Sequence, residues 1–201
     1  MITFSLAKGR IEKSFYKLFE KLGIDTSFIK VDSRKLIFSN DKIRIILTKP
    51  VDVPSLVEFG IADFGIVGKD IILEENKDVS ELLDLKIEYC KIVIAGKKNI
   101  KIEDIKSIST KYTNISKKYF ENKGKDVEII KLSGSVELGA VLNLSDVIID
   151  IVDSGKTLEE NKLKVIDVIC ESSARLISNN ASLKTKYEEM KYWISIIEGV
   201  I

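Results

Sequence analysis

Acids, hydroxyls and a glycine follow an apolar run late in the chain, and together these residue types suit a phosphorylated sugar. The apolar run at residues 147–152 predicts a buried strand, and the polar residues from 159 onward predict a helix. Backbone N–H groups and hydroxyls at a strand-to-helix turn can capture a phosphate, whereas acids beside it suit sugar hydroxyls. The candidate binding residues are Asp150, Asp153, Ser154, Gly155, Lys156 and Thr157.

Two other structures compete for this turn. A nucleotide P-loop also ends in Gly-Lys-Thr, but it needs a glycine five positions before Gly155, where this chain has Asp150. The P-loop is therefore excluded. An ordinary strand-to-helix turn with a Ser or Asp cap fits the same residues without any ligand, and the local sequence does not separate it from a phosphate site.

Basic residues lie beside two other predicted strands. Lys8 and Arg10 follow the first strand, at residues 2–6, and precede an amphipathic helix at residues 11–22. Arg34 precedes a strand predicted at residues 35–39. Guanidinium and ammonium groups beside a helix N-terminus suit a polyphosphate, but solvated basic turns are the more common role of exposed charges.

Lys49 and Glu137 lie at two further junctions. Lys49 stands in a segment that holds both prolines of the chain, and a rigid turn there either aims Lys49 into a cleft or ends the preceding strand. Glu137 follows a strand-glycine-helix junction at which Ser135 would cap the helix and Glu137 would lie in its first turn. That arrangement needs no ligand; alternatively, Glu137 faces the same pocket as Asp153.

Composition excludes several classes of function. The net charge is +1 and no apolar run reaches membrane-spanning length, so neither a nucleic-acid partner nor a membrane is indicated. The absence of histidine removes Ser-His and Cys-His nucleophile pairs, and two separated cysteines do not suggest a zinc site. The chain opens directly into a strand without a signal peptide, which predicts a cytoplasmic protein.

Predicted strands and helices alternate along the whole chain, which indicates an α/β fold. The prediction is two lobes of mixed, largely parallel sheet with flanking helices, and a single helix at residues 182–197 near the end. Residues 1–92 with 165–201 would form a discontinuous lobe I, and residues 93–164 would form lobe II, which carries the candidate phosphate turn. Ligands of such folds bind in the central cleft, at the carboxyl ends of strands.

The candidate residue clusters occur along this chain in the same order as in the sequences of a known family. The chain resembles the short form of ATP phosphoribosyltransferase, the first enzyme of histidine biosynthesis, nearly from end to end. The candidate phosphate turn, within residues 146–158, is that family's signature. The other matching segments are residues 6–10, 33–38, 52–54, 62–70, 81–85 and 174–177, and so many segments in one order are highly specific.

The resemblance implies a reaction and a role for each candidate residue. Members of the family transfer the phosphoribosyl group of 5-phosphoribosyl-1-pyrophosphate to N1 of ATP and release pyrophosphate. By similarity, the 5-phosphate would be bound by Ser154, Gly155, Lys156 and Thr157, with Asp150, Asp153 and Glu137 near the ribose hydroxyls. The pyrophosphate and the ATP phosphates would be faced by Lys8, Arg10, Arg34 and Lys49. Of these, Arg10 and Arg34 are the predicted catalytic residues, because they would stabilise charge on the departing pyrophosphate.

A metal and a protein partner follow from the same resemblance. Mg²⁺ would arrive bound to the pyrophosphate, so no dedicated set of protein ligands is expected. The short form implies a separate regulatory subunit, similar to histidyl-tRNA synthetase but without aminoacylation activity, and a homodimer within a hetero-octamer. Histidine feedback would act through that subunit.

Two positions depart from the family's pattern. Lys49 stands where many members have arginine, so a bidentate phosphate contact would become a point charge. Asn143 replaces a glycine commonly present before the signature strand, which leaves the geometry of that turn open.

The alternative function is a binding module. Bilobal receptors for small solutes share this architecture, which is periplasmic-binding-protein-like (type II), and a fold alone does not settle function. A cytoplasmic module that binds a small molecule without catalysis is therefore the competing prediction.

Overall fold

Strands and helices alternate through the computed structural model, which describes residues 1–29 and 34–201. The strands are β1 (Ile2–Ala7), β2 (Ile37–Ser39), β3 (Ile43–Thr48), β4 (Phe64–Gly68), β5 (Ser80–Asp84), β6 (Cys90–Gly96), β7 (Ser107–Thr110), β8 (Glu128–Lys131), β9 (Val147–Val152), β10 (Lys164–Ser172) and β11 (Ala174–Ser178). The helices are α1 (Arg10–Lys21), α2 (Val53–Glu58), α3 (Lys69–Glu75), α4 (Thr113–Glu121), α5 (Leu138–Val141), α6 (Lys156–Glu160), α7 (Ser182–Thr185) and α8 (Tyr187–Glu198).

The chain forms two compact units. Unit 1 comprises residues 1–88 and 173–201, and unit 2 comprises residues 89–172. The boundaries predicted from the sequence lie between residues 92 and 93 and between residues 164 and 165 instead. The difference has a physical reason: β6 and β10 pair along their whole length, from Cys90 opposite Ser172 to Gly96 opposite Lys164, so both strands lie entirely in the sheet of unit 2.

Unit 1 has a six-stranded sheet in the order β2-β3-β1-β4-β11-β5. β1 is fully buried and runs parallel to both β3 and β4, so these three strands end at the same edge. Aromatic packing fixes α1 and α8 on this sheet. Phe4 of β1 stacks on Phe64 at 5.2 Å between ring centroids, and it meets Phe19 and Trp193 edge-on at 5.6 and 5.3 Å. Each such pair contributes about 0.5–1.5 kcal/mol beyond the burial of its surface.

Unit 2 has a five-stranded sheet in the order β10-β6-β9-β7-β8. Alternation along β9 gives it two apolar faces: Ile149 packs in a cluster with Phe120 of α4, whereas Ile148 packs in a cluster with Ala140 of α5 and Leu158 of α6. Asp150 is two residues beyond Ile148 and lies on the same face as Ile148, because strand side chains alternate with a period of two. The apolar pattern therefore directs this acid toward the side of the sheet that α5 and α6 cover.

Both sheets are mixed and flanked by helices, as predicted. Among the described residues, four of the nine strand pairings are parallel. This is fewer than expected for the largely parallel sheets that the sequence predicted. β10 and β11 run antiparallel to their neighbours and account for three of the antiparallel pairings. No helix within residues 1–29 and 34–201 is long and apolar enough to span a membrane.

Candidate active site

The carboxyl ends of three parallel strands meet at one edge of the sheet of unit 2. β7 pairs in parallel with both β8 and β9, so the turns that follow these strands begin side by side. A cavity of about 190 Å³ lies at this edge. Its lining consists of Glu137 and every residue from Asp150 to Leu158, so it includes all of the site residues that the sequence predicted for this unit.

The turn between β9 and α6 depends on Gly155. This residue has φ 78° and ψ −4°, in the left-handed region, and α6 begins at the next residue. The nearest atom to a Cβ at this position would be on Val152 at 3.9 Å, so the backbone angle rather than crowding favours glycine here. The first N–H groups of any helix lack intrahelical partners, and the exposed side chains of Ser154, Lys156 and Thr157 lie beside them. The turn therefore presents several hydrogen-bond donors and one positive charge together.

Asp150 is the acid whose surroundings are most unusual. Its side chain is 20% exposed, and its Oδ1 accepts a hydrogen bond of 2.8 Å from the backbone N–H of Ile151. Burial raises the pKa of Asp150, and the nearby Glu137 carboxylate adds to that effect. The Ile151 N–H and the ammonium group of Lys111 oppose it, and the net pKa stays above the usual value. Asp150 is thus ionised at a cost, which is typical of a carboxylate at a functional site.

Glu137 lines the same cavity from the turn between β8 and α5. The sequence predicted Ser135 as the helix cap and Glu137 in the first helical turn. Instead, α5 begins at Leu138, directly after Glu137, and no side chain caps it. Ser135 takes φ 47° and accepts a hydrogen bond at its carbonyl from the Leu138 N–H at 3.1 Å, because the chain makes an extra turn before the helix. That turn leaves Glu137 half-buried at the cavity.

Lys111 belongs to this site and was missed from the sequence. It follows β7, and its Nζ lies 3.9 Å from Oδ1 of Asp150. The sequence around it carries no glycine and no motif, and the two residues are far apart along the chain. The only signal for their proximity is the pairing of β7 with β9, which is a property of the sheet order.

In unit 1, Lys8 and Lys49 follow two adjacent parallel strands. The backbone N–H of Lys8 donates to the carbonyl of Thr48 at 2.9 Å, which joins the turn after β1 to the turn after β3. Both lysine side chains are exposed. Pro50 follows Lys49 and opens a short helical turn at Pro50–Asp52, as expected for the rigid turn that the prolines predicted. The structure therefore brings the turns that carry these two lysines to one edge of the sheet.

Arg10 is the first residue of α1, and its side chain is anchored. Its Nε lies 3.4 Å from Oε2 of Glu88, whose other oxygen accepts a hydrogen bond of 2.7 Å from Ser14. The preceding Gly9 has φ 107°, and its N–H donates to Oε2 of Glu12 at 3.2 Å. The turn before α1 is thereby fixed by two acids that the sequence did not single out, while the Arg10 side chain remains 64% exposed.

Arg34 is exposed and lies three residues before β2. Because β2 is antiparallel to β3, the chain enters β2 at the edge where β3 ends, which is also the edge of Lys8 and Lys49. Ser33, which the motif around Arg34 includes, lies outside the described residues. All four predicted cations therefore belong to one edge of the sheet in unit 1.

The turn at Asn143, which the sequence left open, keeps a glycine-like geometry. Asn143 has φ 57°, in the left-handed region that asparagine tolerates better than most residues. Its side-chain oxygen also accepts a hydrogen bond from the ammonium group of Lys97. Asn143 therefore adopts the left-handed backbone conformation that glycine favours.

Each unit thus presents one kind of chemistry. Unit 2 offers a turn rich in hydrogen-bond donors beside the half-buried acids Asp150 and Glu137, and unit 1 offers a row of cations. Within the described parts of the chain, no group of three or more Asp, Glu, Cys or His side chains is arranged to hold a metal ion. These features define an α/β protein of two units, each with residues of a type suited to binding phosphate groups.

Comparison with known proteins gives the family. Residues 49–199 match the family described as HisG: ATP phosphoribosyltransferase. An ATP phosphoribosyltransferase of Caldanaerobacter subterraneus subsp. tengcongensis is 48% identical, over 100% of this chain and 98% of that protein. The chain belongs to the ATP phosphoribosyltransferase family.

Two solved structures agree with this fold. The ATP phosphoribosyl transferase (HisG:HisZ) complex from Thermotoga maritima matches with a TM-score of 0.88 and 31% identity, over 100% of this chain and 98% of that chain. The structure of Tv2483 bound to L-arginine matches with a TM-score of 0.63, over 99% of this chain and 82% of that chain. At 12% identity, the second likeness shows the fold alone. The predicted periplasmic-binding-protein-like fold class is confirmed.

The predicted function is also confirmed. The protein is a pentosyltransferase that transfers the phosphoribosyl group of 5-phosphoribosyl-1-pyrophosphate to N1 of ATP, giving N1-(5-phosphoribosyl)-ATP and pyrophosphate. This reaction is the first step of histidine biosynthesis. The alternative of a binding module without catalysis is not favoured.

Proposed function

We propose that the turn at residues 150–157 holds the phosphoribosyl end of 5-phosphoribosyl-1-pyrophosphate. The observation that carries this proposal is the cavity of about 190 Å³ at which the left-handed Gly155, the start of α6 and the half-buried Asp150 come together. Backbone N–H groups, the hydroxyls of Ser154 and Thr157 and the ammonium group of Lys156 bind the 5-phosphate. Charge-assisted hydrogen bonds of this kind are roughly twice as strong as neutral ones.

The acids of the cavity recognise the ribose. Asp150, Asp153 and Glu137 accept hydrogen bonds from ribose hydroxyls, which a site for bare phosphate would not need. An ionised carboxylate is an acceptor only, so it pairs well with hydroxyl donors. The raised pKa of Asp150, caused by its burial, is consistent with a group held for binding rather than for stability.

The cations of unit 1 bind the pyrophosphate and the phosphates of ATP. Lys8, Arg10, Arg34 and Lys49 share one sheet edge, which supports a common anionic ligand. Guanidinium groups bind phosphate oxygens in pairs, whereas Lys49 provides a point charge where many relatives use arginine. The Arg10 side chain is exposed although it pairs with Glu88, so it is accessible to such a ligand.

The chemistry requires alignment and charge stabilisation rather than a strong base. N1 of adenine carries the attacking electron pair, a bond forms between N1 and the anomeric carbon, and the bond from that carbon to the pyrophosphate oxygen breaks. The electron pair of the broken bond leaves with pyrophosphate. Arg10 and Arg34 stabilise that developing charge, and fixed positioning of both substrates lowers the barrier further.

Magnesium enters as part of the substrate. Mg²⁺ prefers phosphate oxygens and retains several waters, so the pyrophosphate group carries it into the site. We assign no protein residue as its ligand.

A regulatory subunit completes the assembly. The solved relative from Thermotoga maritima is a HisG:HisZ complex, which supports a second polypeptide for this chain also. We propose that this partner resembles histidyl-tRNA synthetase without aminoacylation activity, and that the chain forms a homodimer within a hetero-octamer. The enzyme acts in the cytoplasm, where ATP and phosphoribosyl pyrophosphate are available.

An activity assay tests this account of the site. The chain, with its regulatory subunit, is mixed with ATP, 5-phosphoribosyl-1-pyrophosphate and Mg²⁺, and absorbance from the N1-substituted adenine is followed. We expect product from the wild type and a raised KM for phosphoribosyl pyrophosphate alone in Asp150→Asn and Thr157→Ala. A normal KM in both variants would contradict the assignment of the turn, while absence of any product would contradict the reaction.

A further inference from the structure

Lys111 occupies a position that the reaction as described does not use. It follows Thr110, the last residue of β7, and Thr110 is paired in register with Ile149 of β9. Lys111 is therefore the neighbour of Asp150 across the sheet. Its Nζ lies 3.9 Å from Oδ1 of Asp150 and 4.8 Å from the ring centroid of Tyr112.

The turn that carries Lys111 is rigidly held. The hydroxyl of Thr110 donates to the carbonyl of Ile149 at 2.7 Å and accepts from the N–H of Tyr112 at 2.8 Å. Tyr112 itself is only 1% exposed, so its ring is a fixed platform beneath the ammonium group. A cation over an aromatic face is attracted to it by the negative charge of the ring's π-electrons. Two independent contacts thus hold the ammonium group beside Asp150.

The other charges around Asp150 are mostly negative. Glu137 faces the cavity from the turn before α5, and Asp153 and Lys156 line it from the turn after β9. From β6, the residue paired with Asp150 is Val93, which is uncharged. Among the described residues, Lys111 is the cation within ion-pair distance of the Asp150 carboxylate.

We propose that Lys111 is a positioning residue for the phosphoribosyl site, where its ammonium group keeps the Asp150 carboxylate charged and oriented for the ribose hydroxyls. This inference rests on the proposed role of the turn at residues 150–157. Lys111 acts through Asp150 and does not itself touch the reacting atoms. It offsets the repulsion between Asp150 and Glu137 before the substrate arrives.

The electrostatics give the direction of the effect. Burial and Glu137 raise the pKa of Asp150, and Lys111 works against both. Removing the ammonium group would raise that pKa further, so a larger fraction of Asp150 would be protonated at a given pH. A protonated carboxyl loses acceptor capacity, and binding of phosphoribosyl pyrophosphate would then require a higher pH.

The test is a pH profile of kcat/KM for phosphoribosyl pyrophosphate, measured on the complex with its regulatory subunit. In Lys111→Met, we expect the acid limb to move up by about one pH unit, because an opposite charge within a few ångströms shifts a carboxyl by roughly that much. Near the acid limb this shift gives about a tenfold loss that disappears at higher pH, with the KM for ATP unchanged. The phosphates of the substrate titrate identically in both enzymes and cancel from the comparison.

Two control variants test whether the shift of the acid limb comes from the charge at position 111. Lys111→Arg keeps the cation and should restore the wild-type acid limb. Lys117→Met removes a lysine from an exposed pair with Glu121 in the same unit, at 3.8 Å, and should leave the profile unchanged. A Lys111→Met profile that coincides with the wild type, or a loss that is equal at every pH, would overturn the inference.

Asp150→Asn distinguishes this inference from the proposed site. If Asp150→Asn has a normal KM for phosphoribosyl pyrophosphate, the ribose role of Asp150 is wrong and the role of Lys111 falls with it. If Asp150→Asn is impaired while Lys111→Met behaves as the wild type at every pH, only the role of Lys111 is wrong. Melting temperatures of all variants show whether each is folded.

Discussion

The Nζ of Lys186 lies 2.7 Å from Oδ1 of Asp63, a carboxylate whose side chain is only 4% exposed. The same oxygen accepts the Ser182 hydroxyl at 2.7 Å, and Oδ2 accepts the Thr3 N–H at 2.9 Å. One acid before β4 therefore ties the first strand to α7 and to Lys186, the residue that joins α7 to α8. This contact closes unit 1, whose two segments are separated in the chain by the whole of unit 2.

Asp63→Ala should destabilise the protein by about 2–3 kcal/mol, because it leaves a buried N–H, a hydroxyl and an ammonium group without their acceptor. The predicted loss is at the low end for an unpaired buried charge because the Lys186 side chain is 39% exposed, so its ammonium group is hydrated when Asp63 is removed. Urea denaturation measures the loss. Asp41→Ala, at an exposed turn, is the control and should stay within about 0.5 kcal/mol of the wild type. Equal stability of the two variants would contradict the role of Asp63.

Low pH should remove the stability that Asp63 contributes to the fold. Burial alone would raise the pKa of Asp63, but hydrogen bonds from Lys186, Ser182 and the Thr3 N–H outweigh burial and hold it below its usual range. A lowered pKa in the folded state stabilises the fold above the unfolded value, near 3.9, and this stabilisation is lost as pH falls through the lower folded value. The difference in stability between the wild type and Asp63→Asn should therefore shrink below about pH 4. A difference that is constant from pH 6 to pH 3 would exclude this linkage.

The fold could largely be predicted from apolar runs, but β5 and the break in the last helix could not. β1, β4 and β9 are short, buried and apolar, so their sequences mark them clearly. β5 (Ser80–Asp84) is a partly exposed edge strand with acids at two of its five positions, and its pattern gives no strand signal. The predicted helix at 182–197 is broken at Lys186, which has φ −122° and ψ 34°. No proline or glycine marks that break, which instead lies at the residue that reaches Asp63.

The residues of the candidate site also divide into those with a local sequence signal and those without one. Glycine with hydroxyls after an apolar strand is a local signal, and the sequence located the turn at residues 150–157 from it. Glu12 accepts from the N–H of Gly9, three residues before it, so its capping contact is local to the chain. Lys111 and Glu88 carry no local signal, because each acts through a contact that only the folded chain creates. Sheet order and register decide those contacts, and neither follows from local composition.

Arg10→Ala and Arg34→Ala should each lower kcat with both substrates saturating. Losing one donor to the departing pyrophosphate costs on the order of 2–4 kcal/mol in the transition state, which corresponds to about a 30- to 1000-fold slower reaction. Arg44→Ala removes an exposed arginine from β3 and should leave kcat unchanged. Full kcat in Arg34→Ala would show that its assignment as a catalytic residue is wrong.

Histidine should not inhibit the isolated chain. We expect feedback to act through the regulatory subunit, so inhibition should appear only when the purified partner is added. Initial rates with and without histidine, measured before and after reconstitution, provide the comparison. Strong inhibition of the chain alone would place the histidine site on this polypeptide and refute a partner-borne site.

The central claim is that the turn after β9 holds the 5-phosphate, and binding of 5-phosphoribosyl-1-pyrophosphate to the double variant Ser154→Ala, Thr157→Ala tests it most directly. Calorimetric titration gives the Kd with Mg²⁺ present, and Ser195→Ala on the exposed face of α8 is the control. We predict that the Kd of the double variant rises at least about tenfold, since two hydrogen bonds to a charged group are lost. The control should match the wild type. A wild-type Kd in the double variant would contradict the account.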